Sequence, residues 1–161
     1  MKILLIVKST HQQNTLKIAE AMSEVAPLTV VELENAKNYT LSEYDIIGFG
    51  SGIYYGKHDK ALIQFVETVT DKPFYSFVIS TSGTNNYQKY SKTLAKLLES
   101  KNKTVLGVFG CKGLDKFSVF KLFGGLNKNH PNEADYDSAQ QFIIEVMEKY
   151  ERIKSKEYEQ I

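Results

Sequence analysis

Short apolar runs alternate with amphipathic stretches along nearly the whole of this 161-residue chain, and that alternation restricts the folds open to it. Ile3–Val7 is an unbroken aliphatic run, the pattern of a strand buried on both faces. From Thr15 the period becomes helical, with Ile18, Ala19, Met22 and Val25 on one stripe and Lys17, Glu20 and Glu24 outside it. Leu28–Leu33 and Ile46–Gly50 read as the second and third strands. Leu62, Phe65, Val66 and Val69 stripe the next helix, with Asp59 placed to cap it. Phe74–Ser80 reads as the fourth strand, and Tyr90, Leu94, Leu97 and Leu98 stripe a helix that fades at Asn102. Thr104–Phe109 is the fifth strand. Ala139, Phe142, Ile143, Val146, Met147 and Tyr150 mark a last helix that starts near Asn132 or Asp135. Beyond Tyr150 the chain turns polar, and fraying is expected there.

Five strands alternating with helices imply an α/β fold, a doubly wound open parallel five-stranded sheet with helices on both faces. The length suits one domain over residues 1–161. Twenty Lys and Arg against nineteen Asp and Glu argue against nucleic acid or an anionic membrane as partner. The lone Cys111 cannot form an internal disulfide, and no CxxC or HExxH spacing supports a metal centre. Ile3–Val7 is too short for a signal peptide, and no stretch approaches the ~20 apolar residues of a membrane span. A soluble, cytoplasmic protein is the expectation.

Open parallel sheets bind ligands beyond the C-terminal ends of their strands, so the segments that follow each strand carry the functional reading. After the first strand, Ser9, Thr10, His11, Gln12, Gln13, Asn14 and Thr15 lead straight into a helix. Hydroxyl and amide groups beside free N–H groups at a helix start suit a phosphate dianion, although the same residues also make an ordinary capped turn. No Walker lysine is present. After the third strand, Gly48-Phe49-Gly50-Ser51-Gly52-Ile53-Tyr54-Tyr55-Gly56 offers flexible backbone beside two aromatic rings, as a planar heteroaromatic ligand requires. Packing of one or both tyrosines onto the body is the alternative. Thr81-Ser82-Gly83 and the residues up to Tyr87 form an uncharged hydrogen-bonding loop, or a plain surface turn. Gly110-Cys111-Lys112-Gly113 follows the fifth strand, where Cys111 reads foremost as a small buried hydrophobe.

Together these loops resemble the flavodoxin family over about Ile3 to Ile144. The matching pieces are STHQQNT after the first strand, GFGSGIYYGKH after the third and STSG after the fourth. CKG followed by GGLNKNHPNEAD resembles a subgroup of short flavodoxin-like proteins. The resemblance implies sheet order 2-1-3-4-5 and FMN as cofactor. Its phosphate would be held by Ser9, Thr10, His11, Asn14 and Thr15. Its ring would lie between Ser51, Gly52, Ile53, Tyr54, Tyr55 and Gly56 on one side and Thr81, Ser82 and Gly83 on the other. Cys111, Lys112 and Gly113 would border the ring. The chain departs from the family in carrying Gln13 where a glycine usually precedes the Asn-Thr pair, and in lacking strong acidity.

The function so implied is electron transfer to a redox partner protein, with the chain a monomer or weak homodimer. The alternative is an NAD(P)H-dependent reductase of a quinone or another small acceptor. A phosphoacceptor role is set aside, because Lys8 and Gly50 stand where acids would be needed. Lys57, His58 and Lys112 are expected to ease charging of the reduced ring. Lys112–Pro131, with Phe117, Phe120 and Phe123 at a period of three, is expected to form a flap beside it.

Overall fold

The computed structural model describes residues 1–69, 74–114 and 127–159. Its strands are β1 (Ile3–Lys8), β2 (Leu28–Glu32), β3 (Ile46–Tyr54), β4 (Lys57–His58), β5 (Tyr75–Ser82) and β6 (Thr104–Lys112). Five of them are parallel in the order β2-β1-β3-β5-β6, and the short β4 only folds back antiparallel on the end of β3. Without β4, this is the expected 2-1-3-4-5 order. The helices are α1 (Asn14–Ser23), α2 (Lys60–Thr68), α3 (Tyr87–Ser100) and α4 (Glu133–Glu159).

The central strand β1 shows why the sheet needs helices on both faces. Ile3, Leu5 and Val7 point into a core with Ile18 and Met22 of α1 and Ile143 and Val146 of α4. Leu4 and Ile6 point the other way, into a core with Leu62 and Val66 of α2 and Leu94 and Leu98 of α3. All five β1 residues are at most 1% exposed, so the unbroken aliphatic run is what a doubly covered strand requires.

Four expectations are corrected. The third, fourth and fifth strands run two to four residues further than the apolar runs, to Tyr54, Ser82 and Lys112. Gly48 and Gly50 therefore lie inside β3 and not in a flexible loop. A Cβ on Gly48 would sit 2.3 Å from the Phe77 ring, and one on Gly50 would sit 2.4 Å from Ile79 Cγ1, so both glycines make room for core side chains of β5. Val25 follows the end of α1 and is 41% exposed, which ends the apolar stripe at Met22. Finally, α4 does not fray after Tyr150 but continues to Glu159. Tyr75 anchors it there: its ring meets that of Tyr150 edge-on at 5.1 Å, and its hydroxyl donates to Glu157 Oε1 at 2.8 Å. Hydropathy misses this anchor because its partners are polar. The β2–β3 crossover is made of two short 3-10 turns, Leu33–Asn38 and Leu41–Glu43.

Candidate functional site

The segments after β1, β3, β5 and β6 meet at one edge of the sheet, and specific hydrogen bonds join them. Thr15 Oγ1 lies 2.8 Å from Thr81 Oγ1, both residues being buried, which ties the β1 segment to the end of β5. The Thr10 hydroxyl bonds the Tyr54 hydroxyl, which ties the same segment to β3. Gly113 N donates to Ser82 O at 2.9 Å. Gly113 also packs so tightly on Asn14 that a Cβ there would come within 2.7 Å of Nδ2. Asn127 Nδ2 donates to Gly83 O at 2.9 Å and to Gly113 O at 3.3 Å. Asn127 was not a sequence candidate. Its position within the GGLNKNH stretch was the available signal.

Between β1 and α1 the chain makes a 3-10 turn, His11–Gln13, in which Gln12 and Gln13 have φ of 60° and 53°. This left-handed backbone explains why a glycine is usual at position 13, and Gln13 adopts it at a cost of about 1–2 kcal/mol. No side chain from Gln13 caps α1, and its first turn holds no acid. Leu16 N donates to Ser9 Oγ at 3.4 Å. A helix start without an N-cap side chain leaves its other first N–H groups as donors for an anion. Beside it, Asn14 is 8% exposed and donates through Nδ2 to Leu114 O at 2.9 Å, while its Oδ1 is buried without a partner among the described residues. That orphan acceptor suits a hydroxyl or N–H donor of a ligand.

The segment after β3 is a two-residue β-hairpin and not a loose loop. Tyr55 (φ 50°) and Gly56 (φ 77°) form the turn, with Ile53 opposite His58 and Tyr54 opposite Lys57. Two left-handed residues in succession are what such a turn demands. Tyr55 at its tip is 92% exposed, whereas the Tyr54 hydroxyl lies back over Gly52 and Thr10.

His58 is not the cation expected. It is 4% exposed, its Nδ1 lies 2.8 Å from Ser51 Oγ, and its Nε2 is buried without a partner among the described residues. Burial pushes its pKa down to about 4, so it is neutral at pH 7. Ser51 Oγ donates to Gly52 O and accepts from Asp59 N. With the hydroxyl proton so used, His58 Nδ1–H is the donor to Ser51, and Nε2 is an acceptor.

Cys111 packs in the core on the α1/α4 face, and burial pushes its thiol up to about 12, so any contact with a ligand at the edge falls to its backbone. Lys112 is half-buried and Lys57 exposed. Of the expected flap, residues 115–126, with Phe117, Phe120 and Phe123, lie outside the described residues. Downstream, α4 starts near Asn132 as expected, and Asn132 caps it: Asp135 N donates to its Oδ1, and its own N–H donates to Asp135 Oδ2. His130 Nδ1 lies 2.6 Å from the same carboxylate oxygen.

A parallel doubly wound sheet with polar segments converging at its C-terminal edge is the flavodoxin architecture. The family model for the flavodoxin domain matches residues 5–122, and the chain belongs to that family. An uncharacterized protein of Methanocaldococcus jannaschii is 39% identical over 148 residues, covering 91% of this chain and 99% of the relative. Oxidised flavodoxin 2 from Bacillus cereus superposes with a TM-score of 0.67 at 16% identity, over 92% of this chain and 99% of that one. A flavoprotein from Lactobacillus acidophilus in complex with FMN gives 0.55 at 16% identity, over 68% and 92%. Among the described residues, no helix is long and apolar enough to cross a membrane.

Proposed function

We propose that the chain binds one FMN at this edge and serves as an electron carrier for a protein partner. The observation that carries this reading is the start of α1, where Gln13 supplies no cap, beside the Asn14 Oδ1 that is buried without a partner among the described residues, in segments already joined by the Thr15–Thr81 pair. Ser9, Thr10, Thr15 and the N–H groups of His11 through Thr15 would hold the phosphate. Asn14 Oδ1, an acceptor, would take a hydroxyl of the ribityl chain. Ser51–Gly56 and Thr81–Gly83 would flank the ring, with Cys111–Gly113 contributing backbone. Bound FMN would supply the redox chemistry of its isoalloxazine ring, and the protein would supply binding and tuning. The complex of the Lactobacillus flavoprotein with FMN supports the choice of ligand. Two groups that could serve an enzyme, His58 and Cys111, are buried and uncharged, which favours the carrier over a reductase.

Titration of the apoprotein with FMN and with FAD, followed by flavin fluorescence, tests the ligand. FMN should bind the tighter, and tight FAD binding without FMN affinity would overturn the reading. Stopped-flow mixing of the loaded protein with NADPH tests the role. Absorbance should bleach only after a reductase is added, and rapid bleaching by NADPH alone would overturn the carrier.

A further inference from the structure

The hairpin tip and the first turns of α2 and α3 form one corner of the candidate site's edge. A Cβ on Gly56 would sit 3.2 Å from the Tyr90 ring, which places the hairpin turn on the start of α3. The first residue of α2 is Lys60, two positions after β4 ends. This corner presents Lys57, Lys60, Lys89 and Lys92, all exposed, and none makes an ion pair with a described residue. Between Phe74 and Leu98 the chain has no acid at all. Between Ile46 and Val66 it has only Asp59, whose Oδ1 accepts from Ala61 N to cap α2.

These positions run against local stability. A helix start carries partial positive charge and favours acids, yet α2 and α3 have none in their first turns and carry lysines instead. On the other face of the sheet, α4 follows the usual rule, with Glu133 and Asp135 in its first turn. The cationic corner is therefore a local feature and not a property of the whole chain, whose charges nearly balance. At its tip stands Tyr55, 92% exposed on a left-handed backbone, the kind of aromatic side chain that anchors protein interfaces.

We infer that Lys57, Lys60, Lys89 and Lys92, with Tyr55, form a docking face for an acidic redox protein. This rests on the FMN reading, because it is the adjoining flavin that gives a redox protein reason to dock here. Complementary charge would steer an acidic protein to this corner and turn a basic one away. A protein fits better than nucleic acid or a lipid surface, since the lysines occupy one corner of a chain whose net charge is only +1.

The test uses the FMN-loaded full chain and a reduced acidic ferredoxin as probe, with basic cytochrome c as the opposite-sign control. Each ferredoxin cluster is oxidised by one electron as the flavin is reduced. The second-order rate constant should fall about tenfold or more between 20 and 500 mM NaCl. For oxidation of the reduced protein by cytochrome c, it should rise. The variant K60E/K89E/K92E should lose about tenfold of the ferredoxin rate at low salt. Its FMN affinity should be unchanged and its Tm equal or higher, because positions 60 and 89 lie in the first turns of α2 and α3, where acids are favoured. A salt-independent ferredoxin rate, or a variant as fast as the wild type, would overturn the inference. Failure to bind FMN would refute the flavin reading separately. Docking is then read by sedimentation with oxidised ferredoxin, where salt-sensitive binding lost in the variant supports the face and binding retained overturns it. Tighter binding to phosphatidylserine vesicles than to ferredoxin would also overturn it.

Discussion

Replacing His58 with Asn changes how the fold responds to acid, and the size of the change follows from the burial of the imidazole. In an unfolded chain a histidine titrates near 6.5, while in the folded protein His58 is held at about 4 by desolvation. Between those values the unfolded chain binds a proton that the folded one excludes. The stabilising difference is complete above about pH 6.5, shrinks as the pH falls, and is gone below about pH 4. Converted at about 1.4 kcal/mol per pH unit, the gap amounts to about 3 kcal/mol. Asparagine keeps a polar partner for Ser51 Oγ but does not titrate. Urea denaturation of both proteins at pH 7.5, 6.0, 5.0 and 4.0 gives two stability curves. Carboxylates contribute equally to both, so the difference between the curves isolates His58. The wild type should lose about 3 kcal/mol more than His58→Asn between pH 7.5 and pH 4.0. Parallel curves would refute the reasoning and would mean that the imidazole titrates as in the unfolded chain.

Gln13→Gly should raise stability by about 0.5–1 kcal/mol, because relief of the left-handed strain outweighs the added chain entropy, and FMN affinity should stay within about threefold. A drop in Tm would refute this. Thr15→Val should cost about 1–3 kcal/mol by leaving the Thr81 hydroxyl buried without its partner, and the double change with Thr81→Val should recover part of that loss in denaturant titrations. Tyr54→Ala and Tyr55→Ala are expected to differ under FMN titration. At least one of the two should alter flavin fluorescence, and no change from either would mean that the stacking partner lies elsewhere. The thiol of Cys111 should react slowly with Ellman's reagent in the native protein at pH 8 and rapidly in urea, given a pKa raised to about 12.

The fold was legible because burial on two faces demands a two-sided apolar run, and Ile3–Val7 states that demand without ambiguity. The strand ends were not legible. Gly52, Ser82 and Lys112 continue ladders whose outer residues are small or polar, and no hydropathy pattern distinguishes such residues from a loop. Part of the candidate site was visible as composition. Thr10, Asn14, Thr15 and Thr81 all lie at the converging edge, and two inter-segment hydrogen bonds run between members of the predicted set. The role of His58 was not visible, since the same residue on an open loop would be a surface cation. Its burial depends on the Tyr55-Gly56 turn, which folds β4 back and brings the ring onto Ser51. The left-handed state of Gln13 was foreshadowed only by the glycine usual there.

The course of α4 separates two ends of the molecule. It begins beside the segments joined by Asn127, and Tyr150, two-thirds of the way along it, donates to Asp45 Oδ1 at 3.2 Å, close to where the amino group of Met1 lies 3.8 Å from the same carboxylate. Its 27 residues span about 40 Å, so Met1 and Glu159 both sit at the edge opposite the converging segments. Met1 and Glu159 can each then serve as a mounting point. A protein grafted through Met1 or Glu159, or immobilised there on an electrode, would hang from the blunt end and leave the cationic corner and the segments around Asn14 facing outward.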